Sequence, residues 1–391
     1  MQYESWVLMS ERKLLMIPGP TNVDPAVLRV LCKPTLAHTD PEFVETFKET
    51  LEDLKQVFMT EHQVFAIAGS GTLALEIGVA NIIEPGDKIL NVVTGYFGDY
   101  FVKISKAHGA ACKALEVPWG KCAEPHQVKE ALEEDDYKAV TVTHVDTSTG
   151  VVNPIREIGQ VVKEYSDAFY IVDTVCSLGG MEVRVDDWKI DACVSGSQKC
   201  IGLPPGLALL SVSDMVLTLL ENRKTPVGVW YGDIKNWLPV MMDPSKYFAT
   251  PPVNMIYALS ESLEAILAEG LEKRFRRHHV SAESFRAAIE ALNIKFVADW
   301  KCRADTLTAA YYPEKIEDAS FRGEMRKRGV VVASTIGPIK GKGFRVGHMG
   351  NVSENDVLST IGAMETTLAD LGYKFSLGAG LAAAQDKFVA L

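Results

Sequence analysis

Three short segments hold residues that could do chemistry together: a Gly/Ser loop, an acid at a strand end and a lysine among small residues. The first, Ala68-Gly69-Ser70-Gly71-Thr72-Leu73-Ala74-Leu75-Glu76, reads as a strand running through a tight turn into a helix. Backbone N–H groups and the positive end of the helix dipole then face outward together, which suits an anion such as a phosphate. Gly69, Gly71 and Ala74 also satisfy the dinucleotide fingerprint in form. That fingerprint needs an acid about 20 residues on, at the end of the next strand. Here that strand ends Val92-Val93-Thr94-Gly95, without one. A plain tight turn stays open for the loop taken alone. The second segment, Tyr170-Ile171-Val172-Asp173, places a carboxyl at the end of a buried run, which is costly without a partner. A helix cap or a solvated loop acid would leave the same trace. The third, Val194-Ser195-Gly196-Ser197-Gln198-Lys199-Cys200, offers an amine that burial would keep neutral and nucleophilic toward a carbonyl carbon. A surface lysine is the plainer reading of that segment by itself.

These groups need one platform. From about residue 64, β-branched runs at 64–68, 88–93, 112–117, 138–143 and 169–172 read as buried strands, and 73–83, 125–134 and 155–165 carry helical spacing. Glu84-Pro85-Gly86-Asp87 is a helix stop followed by a turn. Strand–helix alternation predicts an α/β fold, a mostly parallel sheet covered on both faces, with sites beyond the carboxyl ends of its strands. Near residue 256 the pattern changes to a long helical stretch over 256–292, then strands at 306–312 and 330–332. A helical or frayed tail is expected at 378–384. An anion loop, a strand-end acid and a lysine in chain order on one parallel sheet match the phosphate, pyridine nitrogen and aldehyde of pyridoxal 5'-phosphate (PLP).

The bulk properties narrow the classes. A net charge of −11 over 391 residues speaks against a nucleic-acid or anionic-membrane surface. The local basic run, Lys273-Arg274-Phe275-Arg276-Arg277-His278-His279, reads as the solvated face of a helix. Seven cysteines without a C-x-x-C, and eight histidines without an H-x-x-x-H, make a structural zinc site or a disulfide framework unexpected. Reduced thiols point to a cytoplasmic protein. The apolar run at residues 1–9 is too short for a signal peptide, and no stretch reaches the length of a membrane span.

Pro18-Gly19-Pro20-Thr21-Asn22, the loop from Gly69 to Glu76, Asp146-Thr147-Ser148-Thr149-Gly150 and Val172-Asp173 are followed by four further motifs. These are Ser195-Gly196-Ser197-Gln198-Lys199 with Pro204-Pro205-Gly206, Lys246-Tyr247-Phe248-Ala249-Thr250-Pro251-Pro252, and Phe344-Arg345-Val346-Gly347. Together they span nearly the whole chain, which resembles class V (fold type I) PLP aminotransferases of the alanine–glyoxylate / serine–pyruvate family. The resemblance implies a PLP-dependent transferase fold with a seven-stranded, mostly parallel sheet and a smaller α+β C-terminal domain. It implies that Lys199 forms the Schiff base and shuttles the substrate Cα proton, and that Asp173 holds the pyridine nitrogen. Ser70, Gly71, Thr72 and Gln198 fall on phosphate positions, Phe97 and Val175 on the two ring faces, and Thr147 on the ring hydroxyl. Arg345 falls on the clamp for the substrate α-carboxylate, with Gly19 near the substrate. Tyr247 and Thr250 match residues that reach the neighbouring subunit's phosphate, which implies a homodimer with shared sites.

Three positions depart from the family's habit: Asp146 stands where Glu is common, Cys176 where Ser or Ala is common, and Phe97 where Trp is usual. The expected layout is an N-terminal arm at 1–23, a PLP-binding domain at 24–269 and a small domain at 270–391. The expected activity is ping-pong transamination from alanine or serine to glyoxylate or pyruvate, with another donor such as aspartate as an alternative. A cysteine desulfurase of the same fold needs a mobile thiol, and the loop at 333–343 before Arg345 holds no cysteine. A non-catalytic subunit would have no physical need for Asp173, Lys199 and Arg345 together.

Overall fold

The computed structural model describes residues 13–391; the run at residues 1–9 lies outside them. Seven strands form the central sheet, in the spatial order Gln63–Ala68, Leu207–Val212, Ala192–Gly196, Phe169–Asp173, Ala139–Thr143, Lys88–Val93 and Ala111–Glu116. All pair in parallel except Leu207–Val212, which runs antiparallel to both of its neighbours. Four of the interior strands are buried along their whole length and Lys88–Val93 is buried between its ends, as expected where helices cover both faces. The edge strand Ala111–Glu116 alternates instead and places Lys113 and Glu116 at its margin, a charged edge that discourages further pairing.

The helices pack by their apolar stripes. Ile155–Tyr165 buries Ile155, Ile158, Gly159 and Val162, the i, i+3, i+4, i+7 spacing of one face. Pro125–Glu134 starts on proline and carries a reciprocal capping box between Glu124 and Gln127. Both helices match the ranges read from the sequence. The helix expected at 73–83 runs from Gly71 to Ala80. Asp173 is the last residue of its strand, with its backbone in register with Thr143 and Val194. The stretch at 256–292 is two helices, Val253–Glu269 and Leu271–Ala291. Gly270 (φ 84°) breaks them, because its left-handed backbone lets its N–H close on Ile266 and Leu267 and redirects the chain.

A second core lies beyond that break. Leu307–Tyr311, Gly343–Gly347 and Ala333–Ser334 form an antiparallel sheet, over which Phe285, Phe321, Phe344, Ile361 and Leu368 are buried. The N-terminal segment joins this core: Leu14–Leu15 pairs in parallel with Val330–Val331, and Met16 is fully buried there.

The basic run at 273–279 is not the solvated face that its composition predicts. Lys273, Arg276 and His279 are exposed, but Arg274 is 3% exposed and His278 is fully buried one turn later. Arg274 turns inward because it finds partners there: it donates to Gly179 O (2.7 Å), Cys200 O (2.8 Å) and Glu269 (2.8 Å). A buried guanidinium is tolerated when its donors are satisfied in this way.

Candidate active site

The carboxyl ends of the strands open onto a cavity of about 120 Å³. Gly71, Thr72, Phe97, Thr147, Asp173, Val175, Gln198 and Lys199 all line it. Asp173 and Lys199, far apart in sequence, therefore face one space. The Asp173 carboxyl is 3% exposed and accepts one hydrogen bond from Val175 N–H at 2.8 Å. Burial pushes it up to about 7 against the pull of that N–H; the Asp146 charge adds to the rise and Lys199 opposes it. A carboxyl in that state gains most from an N–H cation placed in the cavity.

The helix Gly71–Ala80 ends at the cavity with its first turn uncapped. Ser70 sits at the N-cap, is exposed and makes no side-chain capping bond, which leaves the first amides open to an anion. The side-chain oxygen of Gln198 is buried without a partner among the described residues.

Lys199 lies on the connection between Ala192–Gly196 and Leu207–Val212. Its amine donates to the Pro18 carbonyl. Thr21 ties the same two segments together, its N–H to Gln198 O at 3.1 Å and its hydroxyl to Lys199 O at 2.9 Å. Gly19 lies across the lysine stem, where a Cβ would come within 2.5 Å of Lys199 Cδ, so no larger residue fits unless the lysine moves. Arg345, on Gly343–Gly347, is not among the lining residues but meets the cavity wall from the second core. Its Nε donates to Ser334 O (2.8 Å) and one Nη to Thr147 O (2.9 Å). No carboxylate pairs with it among the described residues, so the rest of its guanidinium fork is available. Burial lowers its pKa, and an incoming anion would offset that cost.

Tyr247 and Thr250 do not line this cavity. Tyr247 is 67% exposed and rests near His38, with ring centroids 5.7 Å apart. Ser70 is at the rim. Leu75, Tyr100 and Val145 line the cavity without having been expected. Tyr100 could have been found one helical turn after Phe97. Cys176 lines it too, but burial raises the thiols of Cys176 and Cys200, the latter to about 12, which opposes a thiolate nucleophile. Arg274 was also missed; it holds the carbonyl of Cys200, the residue after Lys199.

The family model "Aminotransferase class-V" matches residues 30–338. The chain belongs to this family. An uncharacterized aminotransferase of Methanocaldococcus jannaschii is 47% identical over 365 residues, covering 93% of this chain and 94% of that protein. The soluble hydrogenase small subunit of Synechococcus sp. is 38% identical over 383 residues, covering 96% and 98%. The crystal structure of ureidoglycine–glyoxylate aminotransferase from Bacillus subtilis matches with a TM-score of 0.93 and 33% identity, covering 96% and 98%. This class-V aminotransferase is a PLP-dependent transferase and catalyses transamination, as the resemblance implied. Its cavity fits that cofactor on two counts: an uncapped helix end for a phosphate, and a carboxyl held near 7 that an N–H⁺ would satisfy. Among the described residues no helix is long and apolar enough to cross a membrane, and no group of three or more His, Cys, Asp or Glu is placed to hold a metal ion.

Proposed function

We propose that this aminotransferase moves an amine from a small neutral amino acid, alanine or serine, to a small 2-oxo acid, glyoxylate or pyruvate. The observation that carries the reading is the shared cavity of Asp173 and Lys199, with Arg345 bound to the backbone of a residue in its wall. Bound PLP supplies an electron sink for the charge left when the substrate Cα loses its proton. The Lys199 amine takes that proton and later returns it, acting as base and then as acid. Asp173 holds a proton at the pyridine nitrogen by its charge. The open amides at Gly71 and Thr72, with the Ser70 hydroxyl and Gln198, hold the phosphate. Phe97 and Val175 bracket the ring, and Thr147 orients its hydroxyl. Arg345 clamps the substrate α-carboxylate in a bidentate pair, while Gly19 keeps the chain close above it.

The donor class follows from charge. Arg345 answers the α-carboxylate, and Lys199, the cation that lines the cavity, is committed to proton transfer. An acidic side chain would lack a partner there, which favours alanine or serine over aspartate. The acceptor is supported by the glyoxylate in the Bacillus subtilis relative's name.

The working form is a homodimer in the cytoplasm. Trp230 (73% exposed), Met242 and Tyr247 leave a large apolar surface uncovered on the same stretch as Thr250, and a second copy would cover it and bring Tyr247 and Thr250 to the partner's phosphate. All seven cysteines are free thiols, as a reducing compartment keeps them. Residues 24–269 carry the cofactor, and 270–391 bring Arg345 to it.

The test is a panel of donors and acceptors with purified enzyme, read as new amino acid and new oxo acid. Alanine or serine with glyoxylate or pyruvate should turn over fastest. A clear preference for aspartate or glutamate would sink the charge argument for the donor.

A further inference from the structure

The turn after strand Ala139–Thr143 holds a carboxylate that takes no part in the roles above. Asp146 is fully buried, and four donors converge on it. Its Oδ2 accepts from Phe97 N–H (3.0 Å) and Gly98 N–H (3.2 Å). Its Oδ1 accepts from Ser148 N–H (2.9 Å) and Ser148 Oγ (2.5 Å), and that hydroxyl accepts in turn from Tyr96 N–H (3.0 Å). The helix Tyr96–Ala107 has no cap of its own, because its N-cap is Gly95. Asp146 and Ser148 therefore cap it from a distance, satisfying the amides of its first turn.

Close approach makes this possible. A Cβ on Gly95 would lie 2.4 Å from the Asp146 carboxyl carbon, so a side chain there would expel the carboxylate. The backbone of Gly95 is extended (φ 175°), which alanine adopts freely, and the constraint is one of space. The same turn reaches a third element: Arg345 donates to the carbonyl of Thr147, between the two capping residues.

We propose that Asp146 is a positioning residue that locks the ring-facing Phe97 and the carboxylate-binding Arg345 into one frame. The proposal rests on the cofactor site read above. Phe97 is fixed through its own amide, and Arg345 through the carbonyl next to Asp146. All four partners of the carboxylate are donors, so the ionised form suits the site although burial raises its pKa. An amide at 146 would keep the size but turn an N–H toward at least one of these donors. An Asp146 frame also explains why this turn needs an acid, where an N-cap made by the helix itself would leave Arg345 unconnected.

The experiment uses PLP-loaded protein and two variants, Asp146→Asn and Gly95→Ala. The first removes the charge; the second keeps Asp146 and displaces it. Three quantities are read: the dissociation constant of PLP, the visible circular dichroism of the bound cofactor, which reports ring orientation, and the KM for the amino donor. Each variant should release PLP about tenfold more readily, as expected when charge-assisted bonds become neutral or are lost. Each should also lose most of the visible dichroism and raise the donor KM, and the double variant should be no worse than either single one. A merely structural role would lower thermal stability and leave dichroism and KM per bound cofactor unchanged, and that result overturns the proposal. If Asp146→Asn does not fold, Gly95→Ala carries the same three readouts. Wild-type protein that takes up no PLP would sink the site reading and this inference with it, whereas normal wild-type uptake with unaltered variants sinks the inference alone.

Discussion

Replacing Asp173 by asparagine should make the cofactor-free protein more stable while weakening its hold on PLP. The carboxyl titrates near 7 in the fold and near 3.8 when exposed, chiefly because burial disfavours its charge. At about 1.4 kcal/mol per tenfold change, keeping it ionised costs the cofactor-free fold about 4 kcal/mol. The sign follows from proton counting. The folded pKa is raised, so between about pH 4 and pH 7 the native state binds more protons than the unfolded chain, and stability falls as pH rises through that window. Asparagine keeps the acceptor for Val175 N–H and removes the titration. In urea unfolding of cofactor-free protein, the variant should match the wild type near the acid end of the window. It should exceed it by up to about 4 kcal/mol at pH values above about 7. Added PLP should reverse the ranking, because a cation at the ring nitrogen satisfies the carboxylate and has nothing equivalent to gain from the amide. A stability difference that stays flat from acid to neutral pH would refute the reasoning, as would equal stabilisation of both proteins by PLP.

Other outcomes are expected from the same geometry. Lys199→Ala should abolish transamination and leave no covalent cofactor adduct after borohydride reduction, read by intact mass; an adduct at another lysine would reassign the site. Arg345→Lys keeps the charge but not the fork, and should raise the donor KM by about 10-fold or more with a smaller effect on kcat, measured by steady-state kinetics. Arg274→Met should destabilise the protein by about 3 kcal/mol in chemical denaturation, because two buried carbonyls lose their donor while Glu269 keeps only Arg277. Mixing chains that carry Lys199→Ala with chains that carry Tyr247→Ala should restore part of the activity if sites are shared between subunits; no recovery in verified mixed dimers would count against that sharing.

What could be read from the sequence was what local pattern encodes. Continuous apolar runs marked the buried parallel strands, and chain order placed Asp173 and Lys199 at their carboxyl ends, where the structure shows both facing one cavity. Leu207–Val212 is not among the strands read from the sequence, and nothing local marks a strand as reversed. Gly270 was passed over within an otherwise helical pattern, since a single glycine can be either tolerated or a break. Arg274 and His278 were misread for a different reason: their carbonyl and amide partners come from the Gly179, Cys200 and Gly350 turns, remote in sequence. Asp146 was visible as part of a motif, but its service to the helix at Tyr96 depends on two loops meeting above the sheet.

The reversed strand Leu207–Val212 has a mechanical consequence. Because it lies beside Ala192–Gly196, the chain carrying Lys199 leaves the sheet and re-enters it at the neighbouring position, so its backbone is moored at both ends. Thr21 and Arg274 add fastenings on its carbonyls and near its middle. On the role proposed for Lys199, its amine does not reach its two proton-exchange positions by swinging a loop. It has to travel by torsion of its own hydrocarbon tether, a short and fast excursion that leaves the surrounding scaffold still.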